Sequence, residues 1–159
     1  MIDETTKAYI AGFLDGDGSI MLQLVHRKDY KFGYQIRAST CFYQKSKYRN
    51  ELKKLKDILK FGYIRDRNDG ITEYTIVGKD EVKEVLEMLQ PYILFKRKHV
   101  LEALKILNEI GDRRKMLKDE FLRLARLVDS YSSLNYSKKR KHFAHNVENF
   151  LNRRVGQPL

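Results

Sequence analysis

Two runs of alternating apolar and polar residues place the strongest constraint on the fold of this 159-residue chain. Residues 18–28 put Ile20, Leu22 and Leu24 on one face, and residues 34–44 repeat the alternation after a short connection. A period of two is typical of half-buried strands, and strands joined by so few residues pair as a hairpin. We therefore expect a long antiparallel hairpin with one face on the core and the other face free.

Helical patterns alternate with the hairpins along the rest of the chain. Residues 5–17 are apolar nearly all round, with Thr5 or Thr6 as the expected N-cap, which predicts a buried helix. A second hairpin, closed by the turn 68–70, ends at Val77. Amphipathic helices are predicted at about 47–60, 80–90, 98–110, 118–132 and 142–153.

This order predicts an α+β fold, αββαββα, in which one four-stranded antiparallel sheet carries helices on one face and further helices follow at the C-terminus. We expect a single domain over residues 1–159, with the first helix at 5–17, the hairpins within 18–77 and a helical part over 96–155.

The positive charge of the chain, a formal +11, is concentrated in clusters. Residues 44–67 hold nine Lys or Arg against three Asp or Glu, and shorter basic clusters occur at 96–98 and 138–141. Basic clusters with interleaved tyrosines favour a nucleic-acid surface. For the lysines of the amphipathic segment 47–60, a solvated helix face is the simpler interpretation.

Several protein classes are excluded or disfavoured by the sequence. The longest apolar run, Ala8–Leu14, is far shorter than the roughly 18–20 residues that cross a bilayer. Residues 1–7 are acidic and polar and show no signal or transit peptide pattern. The single cysteine, Cys41, cannot form an internal disulfide. We expect an intracellular, DNA-associated protein of a prokaryotic cytoplasm or an organelle.

The segment Ile10–Gly18 is the most informative part of the first helix. Gly12 and Gly16 lie four residues apart on one helical face, where each costs about 1 kcal/mol relative to Ala. Two such positions allow a second helix to approach at backbone distance. The alternative, that Gly16 and Gly18 merely end the helix, leaves Gly12 unexplained.

Two carboxylates, Asp15 and Asp17, fall at the C-terminal end of this helix, where the helix dipole disfavours anions. A cation would relieve this repulsion, and an Asp oxygen beside a terminal carbonyl suits Mg²⁺. Two such helix ends brought together in a dimer would suit metal-assisted phosphodiester hydrolysis. A single Asp after a helix is more often a turn residue, but the whole segment favours a site.

Residues 10–18 resemble the signature helix of LAGLIDADG homing endonucleases, with Ile10 for the leading Leu and Gly16 for the second Ala. The resemblance extends to 62–67, 89–91 and 134–141 and matches the single-motif, homodimeric branch. It implies the homing-endonuclease fold with a saddle-shaped DNA-binding sheet. It also implies a Mg²⁺-dependent endonuclease, in which Mn²⁺ or Ca²⁺ can occupy the same sites. Such a homodimer makes a staggered double-strand break, with no membrane or small-molecule partner.

The resemblance also implies roles for individual residues. Asp17, Gln44 and Lys96 match the catalytic residues, with Lys98 as a supporting cation, and Asp17 with the Gly16 carbonyl matches the metal ligands. The expected dimer interface comprises Gly12, Phe13, Asp15 and Gly16, where Asp15 tunes or caps the helix contact. Where the family usually has Arg or Lys, this chain has Tyr48, so Lys47, Arg49 or the Tyr48 hydroxyl could take that role.

The outward faces of the hairpins would then lie in the major groove of a pseudo-palindromic site. An 11-residue strand spans roughly 36 Å, or about ten base pairs per subunit. Amide and guanidinium side chains on these faces can pair with adenine and guanine edges. The expected DNA contacts are Met21, Gln23, Val25, Arg27, Tyr30, Gln35, Arg37, Ser39, Cys41, Tyr43, Arg65, Arg67, Glu73, Lys138, Lys141 and His142.

Two other functions remain open on the same scaffold. An RNA maturase that assists intron splicing could retain the same residues, and a non-catalytic DNA-binding protein would use only the strand faces. Retention of Asp17, Gln44 and Lys96 favours cleavage.

Overall fold

The computed structural model describes residues 1–135 and 139–155. The order of elements confirms the predicted αββαββα arrangement followed by further helices. Single 3₁₀ turns at Ser46–Tyr48 and Gln90–Tyr92 lie between longer elements. The elements are α1 (Glu4–Asp17), β1 (Gly18–His26), β2 (Tyr34–Lys45), α2 (Arg49–Leu59), β3 (Tyr63–Asp66), β4 (Ile71–Val77), α3 (Lys79–Leu89), α4 (Arg97–Glu109), α5 (Lys118–Ser132) and α6 (Ala144–Val155).

The four strands form one sheet in the order β1-β2-β4-β3. β2 pairs antiparallel with β4, so that Tyr43 faces Glu73, and β4 pairs antiparallel with β3, so that Glu73 also faces Arg65. The longer hairpin closes through the Arg27 N–H, which donates to the Gly33 carbonyl at 2.8 Å. The predicted four-stranded antiparallel sheet is therefore confirmed.

The N-cap of helix α1 lies two or three residues earlier than expected. The carboxylate of Asp3 accepts the Thr6 N–H at 2.9 Å and the Thr6 hydroxyl at 2.8 Å, so Asp3 is the N-cap. The prediction that Thr5 or Thr6 caps the helix is wrong, because both lie in the first turn and Asp3 accepts the Thr6 N–H with a charged group at the positive end of the dipole.

The chain divides into two compact units, of which the first comprises Met1–Met21 and Ala38–Leu104. In this unit α1 contacts α3, while α2 and α3 contact β4. The core contains Leu14, Phe42, Tyr74 and Leu86, each at 0% exposure, and the Phe42 ring stacks on that of Tyr74. Alternation on β2 and β4 therefore places one apolar face under the helices.

The second unit comprises Leu22–Arg37 and Lys105–Leu159, and its described residues include α5 and α6, which pack on each other. Its core is apolar side chains of both helices, such as Leu124, Val128 and Val147 at 0% exposure. Phe32, from the tip of the long hairpin, packs on Phe121 with ring centroids 5.1 Å apart. Across the described residues, no helix combines the length and apolar character needed to cross a membrane.

Candidate active site and nucleic-acid interface

Helix α1 has one buried face and one open face. Ile10, Ala11 and Leu14 are fully buried in their own unit. On the opposite side Gly12 and Gly16 are exposed, and a Cβ built on either would meet nothing within 4 Å. The prediction of burial all round is therefore wrong for the single chain, because the glycine face has no partner in the described chain.

Tyr9 shares this open face and was missed by the sequence interpretation. Its side chain is 73% exposed, although it is a large aromatic residue in a mostly apolar helix. The spacing 9, 12, 13, 16 follows the i, i+3, i+4, i+7 pattern of one helical face and would have identified it. Phe13 on the same face is half-buried and contacts Phe42, with ring centroids 5.3 Å apart.

Asp15 points into its own chain. One carboxylate oxygen accepts the backbone N–H groups of Leu94 and Phe95, both at 2.9 Å, and the other accepts that of Lys96 at 2.7 Å. In return the Lys96 ammonium donates to the Asp15 backbone carbonyl at 2.6 Å. These four bonds tie the C-terminal end of α1 to the residues that precede α4.

Within the single chain the Asp15 carboxylate is directed at the residues before α4, and its expected place in the dimer interface stays a prediction. Asp15 is only 8% exposed, and its carboxylate is fully engaged by backbone donors. Burial raises the pKa of this carboxyl. The backbone N–H groups of Lys96, Phe95 and Leu94 and the Lys96 charge lower the pKa by more than burial raises it, so it lies below the ordinary value. Asp15 therefore stays ionised and organises the start of α4.

Asp15→Ala should destabilise the fold by about 2–4 kcal/mol, because three backbone N–H groups lose their acceptor in a shielded position. Urea unfolding at neutral pH in EDTA measures this change. The matched control is Asp3→Ala, which removes an exposed capping carboxylate from the same helix and should cost about 1 kcal/mol. Equal losses for the two variants would contradict the structural role of Asp15.

Asp17 differs from Asp15 in its exposure and in its contacts. It is exposed at the last residue of α1, and none of the described residues forms a hydrogen bond or ion pair with its carboxylate. The Gly16 carbonyl lies in the same final turn, where helix carbonyls lack the donor of a continuing helix. Both groups are hard oxygen donors, which fits Mg²⁺, since this ion takes one or two carboxylates and completes its shell with water and phosphate oxygens.

A single chain supplies only part of such a shell. Within residues 1–135 and 139–155, no group of three or more His, Cys, Asp or Glu side chains could hold a metal ion. Asp15 is already committed to the backbone before α4. The donors present therefore fit a metal that is shared with other molecules rather than a closed protein site.

Two other predicted catalytic residues, Lys96 and Gln44, lie near side chains or backbone of α1. Lys96 is half-buried and lies at the C-terminal end of α1 through its bond to Asp15. Gln44, near the end of β2, lines a groove of about 390 Å³ together with side chains of α1 and α2. The groove is lined by Tyr9, Phe13, Gln44, Tyr48, Glu51, Leu52 and Leu55. Lys98 is exposed near the start of α4.

The three residues around the unusual Tyr48 differ in their contacts. Arg49 donates to both carboxylate oxygens of Asp66, at 3.1 and 3.0 Å, so its guanidinium is held against β3. Lys47 is exposed, and its ammonium lies 4.9 Å from the centre of the Tyr48 ring. Lys47 thus lies against Tyr48, which lines the groove, while the Arg49 guanidinium is held by Asp66.

In the first unit, a polar row crosses β2, β4 and β3. Arg65 donates to Glu73 at 2.7 and 3.1 Å, and Arg67 donates to the other oxygen of Glu73 at 3.4 Å. The Tyr43 hydroxyl is bonded to Ser19 at 2.9 Å, and burial raises the pKa of Tyr43 to about 12, so the phenol stays neutral. Met21, on the same unit, is half-buried.

Two expected base contacts are buried in the same unit. Ser39 is 0% exposed, and Cys41 is 4% exposed with its sulfur 3.4 Å from the Thr75 hydroxyl. Both side chains therefore offer little surface to a ligand in this structure, and their contact with DNA stays a prediction. Both are short side chains in β2, which has β4 beside it, and Cys41 lies directly opposite Thr75 in the register.

The second unit holds the rest of the expected contacts. Gln23, Arg27 and Lys141 are exposed. Arg27 donates to Gln35 at 3.4 Å, and the Arg113 guanidinium lies 4.8 Å from the centre of the Tyr30 ring, a contact that the sequence did not indicate. The half-buried members of the set are Val25, Tyr30, Gln35, Arg37 and His142. Lys138 lies outside the described residues.

Comparison with known proteins gives consistent matches. A family model described as LAGLIDADG endonuclease matches residues 10–107. DNA endonuclease I-CvuI of Chlorella vulgaris is 34% identical over 149 residues, which cover 94% of this chain and 91% of the relative. DNA endonuclease I-CreI of Chlamydomonas reinhardtii is 35% identical over 143 residues, which cover 90% of this chain and 86% of the relative.

Solved structures agree with these sequence matches. The crystal structure of I-CvuI in complex with its target in the presence of Ca matches with a TM-score of 0.87 at 33% identity and covers 98% of this chain and 97% of that chain. I-CvuI in complex with an I-CreI target in the presence of Mg, with the DNA not cleaved, matches with a TM-score of 0.88 at 33% identity and covers 98% of both chains. The chain belongs to the LAGLIDADG endonuclease family, and the homing-endonuclease fold expected from the sequence is confirmed.

Proposed function

We propose that two copies of this chain form a homodimer that cuts both strands of a long, pseudo-palindromic DNA site by Mg²⁺-dependent phosphodiester hydrolysis. One chain presents one exposed catalytic carboxylate, whereas a staggered double-strand break needs chemistry on two antiparallel strands. A twofold dimer supplies both carboxylates and matches the symmetry of such a site. The similarity to two DNA endonucleases over at least 90% of the chain supports this activity.

The observation that carries the proposal is the end of α1. The open Gly12 and Gly16 face provides a helix contact, and the same helix ends in Asp17, which has no cation partner in the described chain. Packing two α1 helices through this face brings two such ends together. The repulsion between two carboxylates would then be relieved by divalent metal.

The chain's own residues define the rest of the mechanism. Asp17 and the Gly16 carbonyl would hold Mg²⁺, which when bound lowers the pKa of water and neutralises charge on the phosphate. Gln44 orients solvent by its amide, and the Lys96 ammonium faces the developing negative charge. Lys47, rather than Arg49, supplies the further cation beside the groove, because Arg49 is paired with Asp66. Lys98 adds positive charge to the same cleavage site.

DNA recognition is proposed for the strand faces in each unit. Arg65 and Arg67 in the first unit, and Gln23 and Arg27 in the second, are exposed and have the donors that read guanine and adenine edges. Lys141 and His142 precede α6 and would contact phosphates. We place this protein with its DNA in a prokaryotic cytoplasm or an organelle.

The deciding experiment is incubation of the purified protein with a randomised library of duplexes that includes target sites of the relatives. Cleavage in Mg²⁺ and none in EDTA is the expected result.

At a recovered site, Lys47→Gln should lower kcat about 10- to 100-fold, since one cation is lost from beside the groove. Arg49→Gln is its control and should cut at nearly the wild-type rate. Tight RNA binding with no nicking of any duplex would refute the nuclease.

A further inference from the structure

A basic pocket with an aromatic floor lies in the second unit, outside every surface assigned above. It occupies about 390 Å³ between the tip of the long hairpin and the last helix. Its lining consists of His26, Lys28, Phe150, Arg153 and Arg154. His26 lies on the face of β1 opposite to Gln23, so this pocket does not belong to the proposed base-reading face.

The floor of the pocket is fixed by close packing. The Phe150 ring meets the edges of His26 and Tyr34, with centroids 5.9 and 6.0 Å apart. Gly33 has a φ of +72°, and a Cβ built there would collide with the Phe150 ring. Only glycine therefore allows both the turn and the seat of Phe150 against the hairpin tip.

One cation of the pocket is held in place before any ligand binds. The Arg154 guanidinium lies 4.9 Å from the centre of the Phe150 ring and donates through one Nη to the Lys31 carbonyl at 3.2 Å. Stacking and this bond restrict the side chain while leaving other N–H donors free. A guanidinium restrained in this way loses less entropy when it binds an anion.

The charge of the pocket is not compensated locally. Lys28, Arg153 and Arg154 are exposed, and of the described residues that line the pocket none carries a carboxylate. No ion pair involves any of the three cations within the described chain. An open pocket lined by three uncompensated cations suits the phosphate oxygens of a nucleic-acid backbone.

We infer that this pocket binds the phosphate backbone of double-stranded DNA beyond the segment read by the strands. The inference rests on the proposed function, because a duplex read by the strands as proposed would continue past the hairpin tip at residues 27–33. The pocket lies at that tip, where base readout ends. It therefore adds affinity that depends on the length of the flanking duplex and not on its sequence.

The test compares two duplexes that carry the recovered cleavage site, one that ends at the last required base pair and one extended by about ten base pairs on each side. Wild type should bind the extended duplex about 5- to 10-fold more tightly at about 0.1 M salt. The slope of log K against log salt should be steeper by about 2 for a dimer with two pockets. Arg153→Gln/Arg154→Gln should lose both differences and keep its affinity for the short duplex.

The control is Lys105→Gln/Lys118→Gln, which removes the same charge from the same unit outside the pocket. It should retain the preference for the extended duplex. The inference is overturned if the double arginine variant also retains the preference for the extended duplex. It is equally overturned if the control loses as much of this preference as the arginine variant. Lys28→Gln provides a second variant from the hairpin tip, which carries the test if the helix α6 variant fails to fold.

A second measurement separates this inference from the nuclease proposal. Wild type is titrated with a 12-base-pair duplex of random sequence in EDTA, and the NMR signals of the His26 ring and the Arg154 Nε are followed. Shifts at both groups support the pocket even if the library yields no cleavage site. If these signals stay fixed while other signals shift, DNA binds elsewhere and the inference is wrong.

Discussion

Replacement of Asp17 by Asn should reduce the rate of DNA cleavage by about 10³-fold or more while leaving DNA affinity within a few-fold of wild type. The carboxylate is exposed and has no partner among the described residues, so its loss costs the fold little. Loss of a metal-ligating charge removes several kcal/mol of transition-state stabilisation. A 10³-fold loss of rate corresponds to about 4 kcal/mol. Single-turnover cleavage in Mg²⁺ and binding in EDTA measure the two effects.

Asp57→Asn is the matched control, since it removes one exposed carboxylate from α2 without touching the end of α1. It should cleave at the wild-type rate. The assignment of Asp17 as the catalytic carboxylate fails if its variant retains more than about a tenth of the activity, because a metal ligand cannot be so dispensable.

Replacement of Gly12 by Leu should weaken dimerisation by about 30- to 150-fold, or about 2–3 kcal/mol, because the side chain would occupy the space that a second α1 needs. In the single chain a Cβ at this position meets nothing within 4 Å, so no clash arises within the fold. Helix propensity should even improve by up to about 1 kcal/mol. Sedimentation equilibrium over a range of concentrations measures the change.

The control for this effect is Gly111→Leu, since a Cβ at Gly111 also meets nothing within 4 Å but lies outside α1. It should leave the dimer intact. Cleavage of both DNA strands should fall together with the dimer fraction of the Gly12 variant. An unchanged dimer in Gly12→Leu would show that the two copies meet through another surface.

Local patterns predicted the fold because each depends on neighbours in sequence. The period of two in β1 placed Ile20, Leu22 and Leu24 correctly in the core. Amphipathic spacing likewise located α2 with Leu52 and Leu55 buried. At the end of α1 the structure shows an exposed Asp17 and Lys96 beside the helix terminus, while their catalytic roles stay predictions.

Features that depend on distant parts of the chain were not predictable. Asp15 and Asp17 are alike in sequence, but Asp15 finds three donors about 80 residues away and Asp17 finds none. Ser39 and Cys41 follow the alternation of an open face, but they are buried because their exposure depends on the neighbouring strand β4. Likewise, only the pairing of Arg49 with Asp66 distinguishes it from Lys47 near Tyr48.

The single carboxylate shared by Arg65 and Arg67 has a consequence for any attempt to retarget the protein. Glu73 is bonded to both guanidiniums, so replacing one arginine changes the charge balance and the freedom of the other. Contacts that share a partner do not contribute independently. For the base contacts proposed at positions 65, 67 and 73, variants must therefore be selected together as one combinatorial unit, and single-position libraries will misjudge the base preference of each.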